Sequence, residues 1–234
     1  MAVERGGLGA VISAKGLEKR FAGRGRAPVV VLAGVDVEIG PGARVLLRGD
    51  SGSGKTTVAR CLAGLEAPDA GEIWSGEGAA RSTPAEGGWP RVVQLVRQAA
   101  GESLDPRWTV IELLCEPGEI QGIGDEASRR REAMEWLKRI GLPEGAARAR
   151  PGELSGGQRA RVAVARALTL HPALVILDES LTSLDLSEQA RMLNLLAEAQ
   201  ERRPVSYLFI SHRPGMIRAV ATAEMAMEAG RIRR

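Results

Sequence analysis

Short apolar runs bounded by turn residues recur along the chain and predict β-strands. Residues Val35–Ile39 alternate apolar and acidic positions, which is typical of a half-exposed strand. Residues Val45–Leu47 and Ala173–Leu177 are uninterrupted apolar runs, as expected for strands buried on both faces of a sheet. The predicted strands are Val11–Ile12, Val29–Leu32, Val35–Ile39, Val45–Leu47, Gly71–Trp74, Arg91–Val96, Ala173–Leu177, Ser206–Ile210 and Glu224–Met227.

Longer amphipathic stretches lie between these strands and predict helices. Strands that alternate with helices indicate an α/β fold built on a parallel sheet. Between Gln98 and Leu154 the strand signals vanish, which indicates a helical insertion. The Gly-, Ser- and Pro-rich segment Ser75–Pro90 is predicted to be a mobile surface loop. The predicted helices are Thr56–Leu65, Ile111–Leu114, Asp125–Ile140, Gly156–Leu170, Leu186–Arg202 and Met216–Ala221.

Composition and charge narrow the class of protein. The 234 residues suffice for one domain with a sizeable core. The formal net charge is only +3 and the charged residues are interspersed, so we expect no nucleic-acid partner. Cys61 and Cys115 lack metal-binding or disulfide spacing, which is typical of reduced cytosolic thiols. We expect neither a leader peptide nor a membrane span, so the protein would reach a membrane only through a partner.

The string G-D-S-G-S-G-K-T, which we call the phosphate loop (Gly49–Thr56), follows a predicted buried strand and precedes a predicted helix. Its glycines let successive backbone N–H groups face a phosphate, and the helix start adds a positive dipole end. Lys55 would supply charge for the β and γ phosphates, and Thr56 a hydroxyl for Mg²⁺. The alternative is a turn that ends in Lys-Thr by chance, and the flanking strand and helix disfavour it. The candidate nucleotide-binding residues here are Gly49, Asp50, Ser51, Gly52, Ser53, Gly54, Lys55, Thr56 and Thr57.

An acidic pair follows the apolar run that ends at Leu177. The carboxyl end of a strand is where open α/β sheets place ligand chemistry. Asp178 would hold Mg²⁺, directly or through water, and Glu179 would orient and activate an attacking water. The alternative is a common strand-ending pair that caps the next loop, and it would be preferred if the phosphate loop were absent.

The string L-S-G-G-Q at Leu154–Gln158, which we call the LSGGQ turn, resembles a motif of the ATP-binding cassette (ABC) ATPases. The resemblance extends from about Leu17 to Ile232, with the motifs in the same order. It implies a P-loop NTPase fold with a RecA-like parallel-sheet core, an N-terminal antiparallel β subdomain and a helical insertion subdomain. The expected domain is single, 1–234, with residues 1–98 and 155–234 as the core with the β subdomain and 99–154 as the helical subdomain.

The same resemblance implies that two cassettes face each other head to tail and that each ATP lies between the phosphate loop of one and the LSGGQ turn of the other. The hydroxyl of Ser155 and the helix start that follows it would then contact the γ phosphate of the opposite site. The alternative is a Ser-Gly-Gly cap on an ordinary helix. The residues expected to act across the dimer are Ser155, Gly156, Gly157, Gln158 and, in the segment Ser183–Asp185, Asp185.

Three further site residues are implied by position within the resembled family. Gln98 follows a strand and precedes the helical insertion, as the glutamine-loop residue that contacts Mg²⁺ and water does. His212 follows the strand Ser206–Ile210 and would contact the γ phosphate and hold Glu179. Phe21 would stack on adenine, although it could equally pack in the core. Two small departures are Ser180, where many members have Pro or Ala, and Arg97, where an aromatic residue commonly precedes the Gln.

The segment Ser103–Pro117 resembles the ATPases of nickel and dipeptide or oligopeptide importers, above all at Leu104–Arg107. The implied function is ATP hydrolysis that powers import, with integral membrane permease subunits, a second identical or paralogous ATPase and, indirectly, an extracytoplasmic binding protein as partners. The implied location is the cytoplasmic face of the cell membrane. The alternatives are a soluble accessory ATPase of the phosphonate-degradation type or a nucleic-acid clamp, and a nucleotide-binding regulator without turnover.

Overall fold

The structure is a computed structural model that describes residues 11–23, 26–76, 84, 89–182, 184–212 and 214–233. Its centre is a six-stranded sheet in the order β5-β6-β7-β3-β8-β9, in which only the edge strand β9 runs antiparallel to its neighbour. The predicted α/β class with a parallel sheet is therefore confirmed. The strands are β1 Ile12–Gly23, β2 Arg26–Ile39, β3 Arg44–Arg48, β4 Ala70–Trp74, β5 Val93–Val96, β6 Leu174–Asp178, β7 Ser206–Ser211, β8 Ala223–Glu228 and β9 Arg231–Arg233.

Alternate side chains of a strand point to opposite faces of the sheet. Both faces of this sheet carry buried apolar side chains, and helices pack on each of them. Val45 and Leu47 of β3 pack in a core with α1 and the small sheet described below, whereas Leu46 packs in a core with α3 to α6. The helices are α1 Lys55–Leu62, α2 Trp89–Val92, α3 Val110–Ile120, α4 Glu126–Arg139, α5 Gly156–Leu168, α6 Leu186–Arg202 and α7 Ile217–Val220. Short 3₁₀ segments occupy Ala100–Ser103, Glu144–Arg148 and Pro151–Glu153.

The N-terminal sheet is antiparallel, as predicted, with the order β2-β1-β4. The two strands predicted at Val29–Leu32 and Val35–Ile39 are one continuous strand, β2. The pairing skips Gly34, which adopts a φ of 82°, so the strand continues around a bulge instead of ending there. The backbone of Ala33 donates to the Gly230 carbonyl at 2.9 Å, which joins this sheet to the turn between β8 and β9.

Three other predictions need correction. The short strand predicted at Val11–Ile12 is the start of a longer one, β1, which extends to Gly23. The strand predicted at Arg91–Val96 begins only at Val93, because residues 89–92 form the helical turn α2. Trp89, which was included in the surface loop Ser75–Pro90, is 3% exposed, and its indole N–H donates to the Leu62 carbonyl at 3.0 Å. An aromatic side chain buried against α1 anchors this end of the loop. Residues 77–83 and 85–88 lie outside the described part, so the remainder of the loop prediction stays untested.

The stretch between β5 and α5 consists of helices and turns. The N-terminus of α3 has a capping box, in which Thr109 and Glu112 each bond the other's backbone N–H. Asp125 caps α4 by accepting from Ser128 N–H at 2.7 Å. The buried faces of α3 and α4 join the core that covers one side of the central sheet. Within the described ranges, no helix is both long and apolar enough to cross a membrane.

Candidate functional site

The phosphate loop connects the end of β3 to the start of α1, and neighbouring atoms surround its glycines closely. A Cβ at Gly49 would lie 2.2 Å from the Met227 carbonyl oxygen. Gly54 has a φ of 109°, and its Cβ would lie 2.8 Å from the Val31 carbonyl oxygen. Only glycine fits these two positions, so the loop geometry depends on strands β2 and β8 as well as on the loop sequence.

Lys55 lies at the centre of this loop and is 5% exposed. Its ammonium donates to the carbonyl oxygens of Gly49 at 2.8 Å and Asp50 at 2.7 Å. The loop backbone therefore curls around a buried positive charge at a helix N-terminus, an arrangement suited to an anion. Asp50, Ser51 and Gly52 are exposed along the rim, and Ser53 is buried. Thr56 and Thr57 lie in the first turn of α1, which begins at Lys55.

Asp178 ends the central strand β6 and is 6% exposed. Burial raises the pKa of its carboxyl group, and a hydrogen bond with the Thr56 side chain opposes that rise. Its Oδ1 atom is buried and has no hydrogen-bond partner among the residues that the structure describes. Because a buried acceptor without a partner is unfavourable, an additional donor or a cation at this atom would stabilise the site. The hydroxyl of Thr56 and the carboxylate of Asp178 are the hard oxygen ligands that Mg²⁺ prefers.

Glu179 follows directly and adopts a φ of 50°, an uncommon conformation for a residue other than glycine. Its backbone N–H donates to the Ile210 carbonyl at 3.0 Å, and its own carbonyl accepts from the Thr182 hydroxyl at 2.7 Å. The side-chain Oε1 lies 3.0 Å from Nδ1 of His212, the residue that follows β7. Backbone contacts and His212 thus hold one carboxylate at the carboxyl end of the sheet.

Lys55, Asp178 and Glu179 line one cleft of about 670 Å³ at the carboxyl ends of the parallel strands, and His212 contacts this lining through Glu179. Gln98, which follows β5, is exposed and lines the same cleft. The sequence prediction missed two arginines there, Arg60 and Arg97. Arg60 lies in the last turn of α1, and Arg97 is the departure noted before the glutamine. The other lining residues are Val31, Ser51, Gly52, Gly54, Lys55, Thr56, Thr57, Ala99, Asp178 and Glu179.

The LSGGQ turn is not part of that lining and borders a separate depression of about 260 Å³. Ser155 caps α5 in a capping box: its Oγ accepts from Gln158 N–H at 3.2 Å, and its N–H donates to Gln158 Oε1 at 2.8 Å. Gly156, Gly157 and Asp185 line the depression. Ser183 lies outside the described residues. One chain therefore presents two distinct candidate surfaces, each beside a helix N-terminus.

Phe21 lies in β1, opposite Val29, and is 40% exposed. The Lys19 ammonium lies 5.5 Å from the centre of its ring. The part of the chain that lines the 670 Å³ cleft does not include Phe21. Its exposure leaves the ring accessible, and the stacking role stays a prediction.

A sequence family described as ABC transporter matches residues 32–182. The chain belongs to the ABC transporter family. The cassette is 38% identical over 224 residues to a putative peptide import ATP-binding protein of Brucella ovis, covering 95% of this chain and 70% of the relative. It is 39% identical over 204 residues to the nickel import ATP-binding protein NikE of Escherichia coli, with 86% and 76% covered. It is 38% identical over 201 residues to the oligopeptide transport ATP-binding protein OppD of Mycobacterium tuberculosis, with 85% and 33% covered.

Two solved structures share the fold of this cassette. A dimeric structure of the bacterial ABC transporter cassette MJ0796 aligns with a TM-score of 0.82 at 26% identity, covering 95% of this chain and 97% of that one. A dimer of the same cassette in a post-hydrolysis state with ADP and Pi aligns with a TM-score of 0.81, with the same identity and coverage. The predicted family, cassette fold and ATP-hydrolysing activity are confirmed, and the neighbours indicate that such cassettes dimerise.

Proposed function

We propose that this cassette hydrolyses ATP to drive an importer, bound peripherally on the inner face of the cell membrane to integral permease subunits. The observation that supports the proposal most strongly is the Glu179–His212 pair, which holds a carboxylate in the cleft that also contains Lys55 and Asp178. The names of the relatives support peptides or nickel chelates as cargo. An extracytoplasmic binding protein would deliver the cargo to the permease.

ATP would bind with its phosphates in the phosphate loop. Lys55 would neutralise the β and γ phosphates, and the N–H groups of the loop would donate to their oxygens. Mg²⁺ would be held by the hydroxyl of Thr56, by Asp178 and by Gln98. The Oδ1 atom of Asp178 is available for this, since no described residue hydrogen-bonds to it. When bound, the ion would neutralise charge that develops on the phosphates during transfer.

Hydrolysis would be carried out by the groups at the strand ends. Glu179 would orient a water molecule for in-line attack on the γ phosphorus and accept its proton as the bond to the ADP oxygen breaks. His212 would keep the carboxylate in place through the contact between Nδ1 and Oε1, and it would contact the γ phosphate. Gln98 would orient the same water and move with the helical segment that follows it.

A second cassette would complete each ATP site. This is supported by the position of the LSGGQ turn within one chain, where it borders a different depression from the phosphate-loop cleft. In a head-to-tail dimer, Ser155, Gly156, Gly157, Gln158 and Asp185 of one cassette would face the ATP held by the other. Phe21 would stack on the adenine. Closure of that dimer would move the permease, and hydrolysis would reopen it.

The first test is Glu179→Gln, which preserves the size of the side chain and removes the base. We expect ATP turnover to fall by about a hundredfold or more, because a positioned general base contributes about that factor. The variant should nevertheless form an ATP-dependent dimer, measured by light scattering on a size-exclusion column. The matched control is Glu198→Gln, an exposed glutamate on α6, which should turn over ATP normally. Normal turnover in Glu179→Gln would refute the assignment of the base.

The importer itself is tested by a tagged Glu179→Gln protein, trapped with ATP and recovered from detergent-solubilised native membranes. Mass spectrometry should find a multi-span permease, together with any second cassette. Recovery of soluble enzymes or nucleic acid without an integral membrane protein would instead favour the accessory or clamp alternative. The same variant without ATP serves as the control for nonspecific recovery.

A further inference from the structure

Glu188, on the first turn of α6, contacts the LSGGQ turn. A Cβ at Gly157 would lie 2.6 Å from both the carboxyl carbon and Oε2 of Glu188. Gly157 has no positive φ, so its backbone alone does not require glycine. The space that a side chain at position 157 would need is taken by the Glu188 carboxylate. The glycine is therefore explained by the close approach of α6 to the start of α5.

Two guanidinium groups bind the two oxygens of that carboxylate. Arg161 of α5 lies 3.0 Å from Oε2, and Arg191 of α6 lies 2.9 Å from Oε1. The side chains of Glu188 and Arg161 are only 17% and 10% exposed. The Glu188–Arg161 ion pair is largely removed from water and is linked to the charge of Arg191. It therefore keeps its geometry better than a surface ion pair does.

The backbone of Glu188 is tied to the turn that precedes α6. Its N–H donates to Oδ1 of Asp185 at 2.9 Å, which caps the helix. The neighbouring side chain of Gln189 donates to the carbonyl oxygens of Leu181 and Leu184 at 3.0 Å and 3.1 Å. The start of α6 thus connects the Leu184–Asp185 turn to the LSGGQ turn.

We propose that Glu188 is a positioning residue for the ATP-bound dimer: it sets the LSGGQ turn against the Leu184–Asp185 turn, so that both reach the partner cassette as one unit. The ion pair between Arg161 and Glu188 couples α5 to α6, so a displacement of either helix moves the other. The two arginines also neutralise a carboxylate that would otherwise repel a γ phosphate arriving at the N-terminus of α5. This inference rests on the proposed function, since it requires both turns to act across the dimer.

The test introduces Glu188→Ala and Glu188→Gln into the Glu179→Gln protein and measures two constants. The affinity of the isolated cassette for ATP, measured at low protein concentration, should stay within about twofold, because Glu188 does not line the phosphate-loop cleft. The dimer dissociation constant at saturating ATP, measured by analytical ultracentrifugation, should rise about tenfold or more for Ala. Gln, which retains the shape and one acceptor, should give an intermediate value. The matched control is Glu198→Ala on the exposed face of the same helix.

The outcomes separate the two proposals. A Glu179→Gln parent that forms no ATP-dependent dimer would overturn the proposed function and this inference with it. If the parent dimerises and Glu188→Ala dimerises as tightly as Glu198→Ala, the inference alone is overturned. Equal losses of ATP affinity and of dimerisation would also overturn it, because they would indicate general damage to the fold. If Glu188→Ala does not fold, the Gln variant decides by the same two constants.

Discussion

The phosphate loop and the LSGGQ turn are both glycine-rich segments at helix N-termini, yet different neighbours confine their glycines. In the phosphate loop, Gly49 and Gly54 lie against backbone carbonyl oxygens of Met227 and Val31. In the LSGGQ turn, Gly157 lies against the end of the Glu188 side chain. A methyl group added at Gly156 would meet no atom of the described residues within 4 Å, apart from its own helix and chain neighbours. Backbone atoms thus confine the glycines of the phosphate loop. In the LSGGQ turn, one ion-paired side chain confines Gly157, and Gly156 faces open space.

This difference suggests different tasks. A loop enclosed by backbone atoms of two strands cannot relax without moving the sheets, so its shape is present before a ligand arrives. A turn that is open on one side and supported by a side chain on the other leaves room for a partner molecule. The two glycine motifs should therefore respond differently to the same substitution by alanine.

The largest effect is expected for Gly49→Ala. The added methyl would meet the Met227 carbonyl oxygen at 2.2 Å, and overpacking against backbone costs about 3 kcal/mol of unfolding free energy. ATP binding should be lost as well, because the loop must shift. Urea unfolding and nucleotide titration measure the two effects. Since the obstructing atom is backbone, a second substitution Met227→Ala should bring no recovery. Gly40→Ala serves as the control, because Gly40 has no positive φ and no described atom lies within 4 Å of the added methyl.

An intermediate effect is expected for Gly157→Ala. The methyl would meet the Glu188 carboxylate, which can move only by leaving its two arginines, so the unfolding free energy should fall by about 1 to 2 kcal/mol. Here the obstructing group is a side chain, so Glu188→Ala in the same protein should recover part of the loss. A double-mutant cycle should give a coupling of about 1 kcal/mol. Strict additivity would show that the contact between the two residues is not the cause.

The smallest effect on stability, with the opposite sign, is expected for Gly156→Ala. Alanine at an unobstructed helical position should raise the unfolding free energy by about 0.5 kcal/mol. The same methyl would stand on the open side of the turn, where a partner's nucleotide is proposed to bind, so the ATP-dependent dimer of the Glu179→Gln protein should weaken. A dimer of unchanged affinity would contradict the proposed role of this surface.

Much of the fold and of the candidate site follows from local signals. The glycine loop between a buried strand and a helix, the acidic pair at Asp178 and Glu179, and the serine cap at Ser155 were predictable because each depends on residues within a few positions. Gln98 was predictable only from the resemblance of the whole chain to the ABC ATPases. The strand starts were less accurate: Trp89 begins a helical turn because its indole is buried against α1, a contact that no local pattern encodes.

The sequence by itself determined the class of sheet, the order of the motifs and the chemistry of the phosphate loop, since hydrophobic period, turn residues and cap residues are short-range properties. The contact of His212 with Glu179 was expected from the family resemblance, and the structure gives its distance. Only the tertiary structure decided which atoms confine each glycine and that Glu188 faces Gly157. These contacts join residues that are far apart in the chain, and they depend on how strands and helices are packed. Packing is settled by the whole core, so it cannot be inferred from any one segment.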